Sequence, residues 1–272
     1  MGVLLNLTKE YFGETERDED IIEGVNKVSF TDGNGKFHER GYQPEDKSAL
    51  KELMEVLIER RGNEGDFNDV DTSLITNMVA LFFNNSKFNG DISGWKLLEV
   101  KDMSSMFAGA TSFNQDIGNW KFPKVKFMNS MFAGATSFNQ PIGKWKFPKV
   151  EGMTSMFAGA TSFNQDIGNW KFPKVEYMPA MFAGATSFNQ DIGNWKFPEV
   201  ENMNDMFNGA TAFNQDIGKW EFPEVITMSK MFKDATSFEQ DISGWDVESV
   251  THTEDMFENC PIKDEHKPKT IR

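Results

Sequence analysis

The sequence predicts a repeat solenoid preceded by a small non-repeating region. Three observations carry this. The stretch beginning at Met106, MFAGATSFNQDIGNWKFPKV, returns in close copies at Met131, Met156, Met181, Met206 and Met231, always 25 residues on. The seven tryptophans, Trp95, Trp120, Trp145, Trp170, Trp195, Trp220 and Trp245, keep the same interval. So do Val100, Val125, Val150, Val175, Val200, Val225 and Val250. A fixed period of this size marks stacked supersecondary units, each too small to bury its own apolar face. A propeller blade needs about 40 residues or more.

Residues 1–69 do not repeat and read as an N-terminal capping region. The opening, MGVLLNLTKEYFGETERDED, does not read as a signal peptide, because its apolar run is short and acids follow at once. Asn6 stands where a myristoylation motif wants Ser or Thr. Localisation is left open: cytoplasmic or particle-associated as the chain stands, the cell surface if a leader was removed. Residues 27–39, KVSF–TDGNG–KFHE, predict a β-hairpin around Asp32-Gly33-Asn34-Gly35. The same DGNG resembles the start of a calcium loop but fails the pattern at Lys36 and Phe37. Residues 45–61 predict an amphipathic helix with Leu50, Leu53, Met54, Leu57 and Ile58 on one stripe. Arg60 and Arg61 suit its C-terminal dipole, and Gly62 stops it.

Residues 70–260 hold about eight repeats, the first a worn copy and the last, SVTHTEDMFENC, partial; residues 261–272 are a C-terminal tail. In each repeat FNQDIGNW predicts a short strand stacked in parallel on its neighbours, and the proline of KFPK predicts the turn that leaves it. V-x-x-M-x-x-M-F, as at Val125, Met128, Met131 and Phe132, predicts a short helical or 3₁₀ segment with one face inward. The repeats carry 14 of the 16 methionines, which at so regular a spacing read as core filler rather than copper ligands.

The pattern M-x-x-M-F-x-G-A-x-x-F-N-Q-D-I-x-x-W resembles the 25-residue repeat of the BspA-like leucine-rich-repeat surface proteins, also found in mycoplasma proteins of unknown function. The resemblance implies a leucine-rich-repeat-like right-handed coil and, by analogy with better-known members, binding of host or matrix proteins. This chain departs from those members in lacking a signal, a lipid-anchor cysteine and a wall-sorting tail.

Composition narrows the partners. With 42 acidic and 28 basic residues the formal charge is −14, which argues against nucleic acid and anionic membranes. No apolar run approaches the length of a membrane span. The lone Cys260 permits no internal disulfide and reads as a small buried hydrophobe. His38, His252 and His266 share no repeat position, and no phosphate loop, nucleophile elbow or Cys/His metal spacing occurs, so the chain reads as non-enzymatic with no cofactor.

Rows of identical residues are the remaining candidates. Asn89 to Asn214, closed by Glu239, read as a stacked amide row. The Asp row includes Asp166, Asp191 and Asp216 as weak calcium or carbohydrate candidates and is broken by Pro141. Thr111 to Thr236 lack the Thr-x-Thr pairing expected of an ice-binding face. Two charged rows change sign along the array. Lys124, Lys149 and Lys174 give way to Glu199 and Glu224, and Lys96, Lys121, Lys146, Lys171 and Lys196 to Glu221 and Asp246. These rows predict a surface for a protein partner or for self-association, the alternative being an assembly subunit that stacks through its charge gradient.

Overall fold

A computed structural model describes residues 22–270. The readings of the first residues as lacking a leader or myristoylation signal lie outside these. The elements among the described residues are β1 (Val25–Thr31), β2 (Phe37–Pro44), α1 (Lys47–Arg61) and a 3₁₀ turn at Asp264–His266.

β1 and β2 form the antiparallel hairpin that the alternating runs predict, with a register irregularity between Val28 and Phe30. Its connecting loop is closed by Asp32, whose carboxylate accepts the N–H groups of Asn34 and Lys36, each at 2.9 Å, and meets His38 Nε2 at 2.9 Å. The sequence resembling a calcium loop therefore folds around its own aspartate. Burial pushes the Asp32 carboxyl up, but the His38 bond and the two N–H bonds outweigh it, and the net direction is down. A carboxyl whose folded pKa lies below its unfolded value adds stability above the unfolded value and loses it as pH falls through the folded one. We expect the melting temperature to fall below about pH 4, and to fall less steeply there for Asp32→Asn. Thermal unfolding from pH 3 to 6 checks this, and equal slopes would contradict it.

α1 starts at Asp46, whose side chain accepts the Ala49 N–H at 2.9 Å, and stops at Gly62, whose φ of 79° suits a residue without Cβ. Ala49 is buried, and Leu50, Leu53, Met54 and Leu57 join the apolar core of the chain.

The repeats do not form the expected solenoid with a leucine-rich-repeat-like right-handed coil. They contain no strand and no helix, and the one sheet among the described residues is the antiparallel hairpin. Successive repeats meet instead as turn-built layers joined by single parallel bridges, Asn77↔Asp102↔Phe127↔Gly152↔Tyr177↔Asn202↔Thr227↔His252. These bridges lie in the V-x-x-M segment, not in FNQDIGNW.

Local hydrogen bonding explains both corrections. In the layer beginning at Val125, Met128, Ser130, Phe132 and Gly134 donate N–H to the carbonyls of Gly152, Thr154, Met156 and Ala158 one layer on. The residues between them, Met131, Ala133 and Ala135, donate three residues back within their own layer. Alternate amides thus serve two directions, and every backbone donor of Met128–Ala135 except that of Asn129 has a partner. This alternation puts Ser130 at φ 55° and Gly134 at φ 68°, which breaks any helical run. In FNQDIGNW side chains take over what a strand would do with backbone. Asn164 N–H donates to the Asn139 side chain at 2.9 Å, and Gly168 N–H to Asp166 Oδ1 at 3.0 Å. Pro173 and Lys174 form a turn, but there is no strand for it to leave.

The core is a set of aromatic columns. Phe132, Phe157 and Phe182 stack at 5.5–5.7 Å between centroids, Phe138, Phe163 and Phe188 at 6.0 Å, and Trp145, Trp170 and Trp195 at 6.3–6.4 Å. The phenylalanine of KFPK is also inside: Phe147 meets the Trp170 ring edge-on at 4.8 Å. The buried indole N–H is satisfied across layers, as Trp170 Nε1 to the Ile142 carbonyl at 3.1 Å. The methionines of the interior repeats are fully buried. Cys260 is only half-buried, and burial pushes its thiol up.

Candidate functional site

What the core leaves outside is set by the repeat itself. In W-K-F-P-K-V the tryptophan, phenylalanine and valine point inward, so both lysines point out, one on each side of the proline. Lys121, Lys124, Lys146, Lys149, Lys171 and Lys174 are all exposed, as are Glu199, Glu221 and Glu224. They line the same turn in consecutive layers.

Their pairing is uneven. Lys124 meets Glu99 of the preceding layer at 2.5 Å, and Lys196 meets Glu221 of the next at 3.4 Å. Lys121, Lys146, Lys149, Lys171 and Lys174 have no carboxylate partner among the described residues. Glu99 corrects the expected pattern, since the row before the valine begins acidic and turns basic before it turns acidic again. Reading that row one repeat earlier finds it. Exposed pairs of this kind are worth about 0.2–1 kcal/mol each, so the paired ends add little to stability.

The aspartate row performs a different task. Asp166, Asp191 and Asp216 each accept the N–H two residues on, from Gly168, Gly193 and Gly218, at 2.9–3.0 Å. Asp116 and Asp241 do the same. These are side-chain-closed turns. At Asp241 the hydroxyl and N–H of Ser243 hold the carboxyl below its ordinary range. Among the described residues no three His, Cys, Asp or Glu side chains converge as a metal site would need.

The asparagine row runs as a relay. Asn164 Oδ1 accepts both the Asn189 N–H and Gln190 Nε2 at 2.9 Å, and the pattern continues to Glu239 N–H on Asn214. We expect Asn164→Ala to cost about 1–3 kcal/mol by leaving these donors unpaired, and Asn164→Asp, which keeps the acceptor, to recover most of it. Urea unfolding of both variants checks this, and equal losses would contradict it. The threonine hydroxyls make longer bonds, such as Thr136 Oγ1 to the Thr111 carbonyl at 3.4 Å.

The histidines do not converge. His38 lies on Asp32, His252 on the Thr251 hydroxyl, and His266 Nδ1 on the Glu239 carbonyl.

The sequence profile of a family described as Mycoplasma protein of unknown function, DUF285, matches residues 51–170 and again residues 153–268. The chain belongs to this family. The double match makes it a repeat-containing DUF285 chain, the first matched stretch beginning inside α1 and both running over the stacked layers. Neither the curated proteins nor the solved structures give a match. Among the described residues no helix is long and apolar enough to cross a membrane.

Proposed function

We propose that this DUF285 chain is a non-enzymatic binding protein that presents its lysine-bearing side face to the acidic surface of a protein partner. One observation carries the reading. Lys121, Lys146, Lys149, Lys171 and Lys174 stand exposed and unpaired in three consecutive layers of a protein whose formal charge is −14. Like charges held on one face raise the local potential and steer an oppositely charged surface into register. The rigid layers beneath fix the spacing of the charges, so little ordering cost falls on binding. The resemblance of the repeat pattern to BspA-like surface proteins supports a matrix or host protein as partner. The separation of the three histidines, each on its own partner, supports a non-catalytic role.

The test is capture of defined matrix proteins of differing charge on the immobilised chain, compared with a Lys146→Glu, Lys149→Glu, Lys171→Glu, Lys174→Glu variant. The expected result is capture of an acidic protein that the variant loses and that weakens as salt rises. Equal capture by both chains, or none, would sink the reading. Lys196 and Glu221, paired across layers, favour a second reading in which the sign change directs assembly. Self-association abolished by the same four substitutions would move the proposal there.

A further inference from the structure

The backbone bonds that join one layer to the next are left unmade at both ends of the array, in the same row. Between the last two layers Met228, Lys230, Phe232 and Asp234 donate N–H to the carbonyls of His252, Glu254, Met256 and Glu258, and Thr251 N–H donates back to the Ile226 carbonyl. Among the described residues no further layer follows the last one. The N–H groups of Thr253, Asp255, Phe257 and Asn259 and the carbonyl of Thr251 have no hydrogen-bond partner among the described residues. Among the described residues no layer precedes the first one in this row. The carbonyls of Asn77, Val79, Leu81 and Phe83 and the N–H of Thr76 are likewise unpartnered there.

These two sets are complementary. Thr76, Asn77, Val79, Leu81 and Phe83 hold the repeat positions of Thr251, His252, Glu254, Met256 and Glu258. One end therefore offers four acceptors and a donor where the other offers four donors and an acceptor. The backbone shape also matches that of the interior. Ala80 and Asn84 have φ of 57° and 56°, Asp255 and Asn259 of 55° and 56°. Elsewhere the ends are closed by the chain itself. Asn89 and Asp91 donate N–H to the Asn63 and Gly65 carbonyls at the front, and Ile242 donates to the His266 carbonyl at the back.

We infer that a second copy of this chain docks on these rows, head to tail, continuing the bonding that already joins the layers. The inference is independent of the lysine face, which is a different surface. An open row of this kind pairs readily with another chain. Direction follows from the groups involved. Two final layers would set donors against donors and bring Glu254, Asp255 and Glu258 against their own copies. The first row, Thr76–Asn84, carries no charge and presents Phe83, which is 54% exposed. A head-to-tail contact between unlike surfaces does not close on itself and generates linear chains.

The test uses the full chain carrying Phe83→Cys and Glu258→Cys with Cys260→Ser. Rings of adjacent layers stack 5.5–6.4 Å apart, a spacing within the Cα separations of about 4.4–6.8 Å that a disulfide tolerates. Within one chain the two positions are seven periods apart, so only a neighbouring copy can bridge them. The expected result is a series of covalent multimers on oxidation, with a scattering mass that rises with concentration. In the otherwise native chain Phe83→Glu, facing Glu258, weakens association several-fold, Phe83→Lys strengthens it, and the melting temperature of each stays at the native value. A chain that is monomeric at every concentration and forms no cross-link overturns the inference. So does an association that Phe83→Glu leaves intact, and if salt then dissolves it, it belongs to the charged side face.

Discussion

Replacing Phe157 by alanine is expected to cost about 3–5 kcal/mol, the range for emptying a buried aromatic site. Phe157 is fully buried and stacks on Phe132 at 5.5 Å, on Phe182 at 5.7 Å and on Phe163 at 4.1 Å. Its removal opens a gap in a column rather than at its end, and the layers on either side are held by the same backbone bonds, so they have little freedom to close it. Tyr177→Ala is the matched control, since that ring is 46% exposed and faces out. Its cost should stay within about 0.5 kcal/mol, the usual range for surface changes. Urea unfolding followed by tryptophan fluorescence compares the two. A Phe157→Ala loss no larger than that of Tyr177→Ala would contradict the aromatic columns.

The second large effect is expected from Gly168→Ala, at about 3 kcal/mol, the upper part of the range for overpacking. A Cβ there would come 2.5 Å from the Asp191 carbonyl oxygen of the next layer, and backbone cannot swing aside as a side chain can. Gly143 and Gly193 face the same atom in their own neighbours, at 2.4 and 2.5 Å. Gly159 gives the contrast. Its φ of 68° is left-handed, but a Cβ would sit no nearer than 3.7 Å to the Gly134 backbone, so Gly159→Ala should cost only the conformational penalty of about 1–2 kcal/mol. The chain itself carries a variant of this turn. Ser93-Gly94 and Ser243-Gly244 stand where interior layers have glycine followed by Asn or Lys. Gly168→Ser combined with Asn169→Gly should accordingly recover stability that Gly168→Ser alone loses. Paired unfolding curves check both comparisons, and a Gly168→Ala chain as stable as Gly159→Ala would show that the layers are not in this close contact.

The period, the hairpin and α1 were legible because each rests on a local signal: the 25-residue interval, the turn at Asp32–Gly35, and the apolar stripe of Leu50, Leu53, Met54 and Leu57. The local structure of the repeat was not. V-x-x-M-x-x-M-F places Val125, Met128, Met131 and Phe132 inward, and this spacing is shared by a short helix and by the turns that occur. What separates them is the left-handed backbone at Ser130, a residue type that gives no such signal, since glycine is the usual marker. FNQDIGNW reads as a strand for a related reason. The recurrence of Phe113, Ile117 and Trp120 predicts which side chains are buried, not whether neighbouring layers are joined through backbone or, as at Asn139 and Asn164, through side-chain amides. The exposed rows were legible as rows, because Lys146 and Lys149 flank a core phenylalanine. Which lysines would be left unpaired was not, since pairing depends on contacts one layer away, such as Lys124 with Glu99.

Each layer is held to the next by alternate backbone amides, and its side face takes no part in that bonding. Amide hydrogen exchange on the dilute full chain tests it most directly. Slow exchange is expected at Met153, Ser155, Phe157 and Gly159, whose N–H groups all donate to the next layer. Fast exchange is expected at Thr253, Asp255, Phe257 and Asn259, which have no partner among the described residues, and slower exchange at Met256, Glu258 and Cys260, which bond within their own layer. Uniform rates along the last layer, or interior amides exchanging as fast as those at the end, would contradict it.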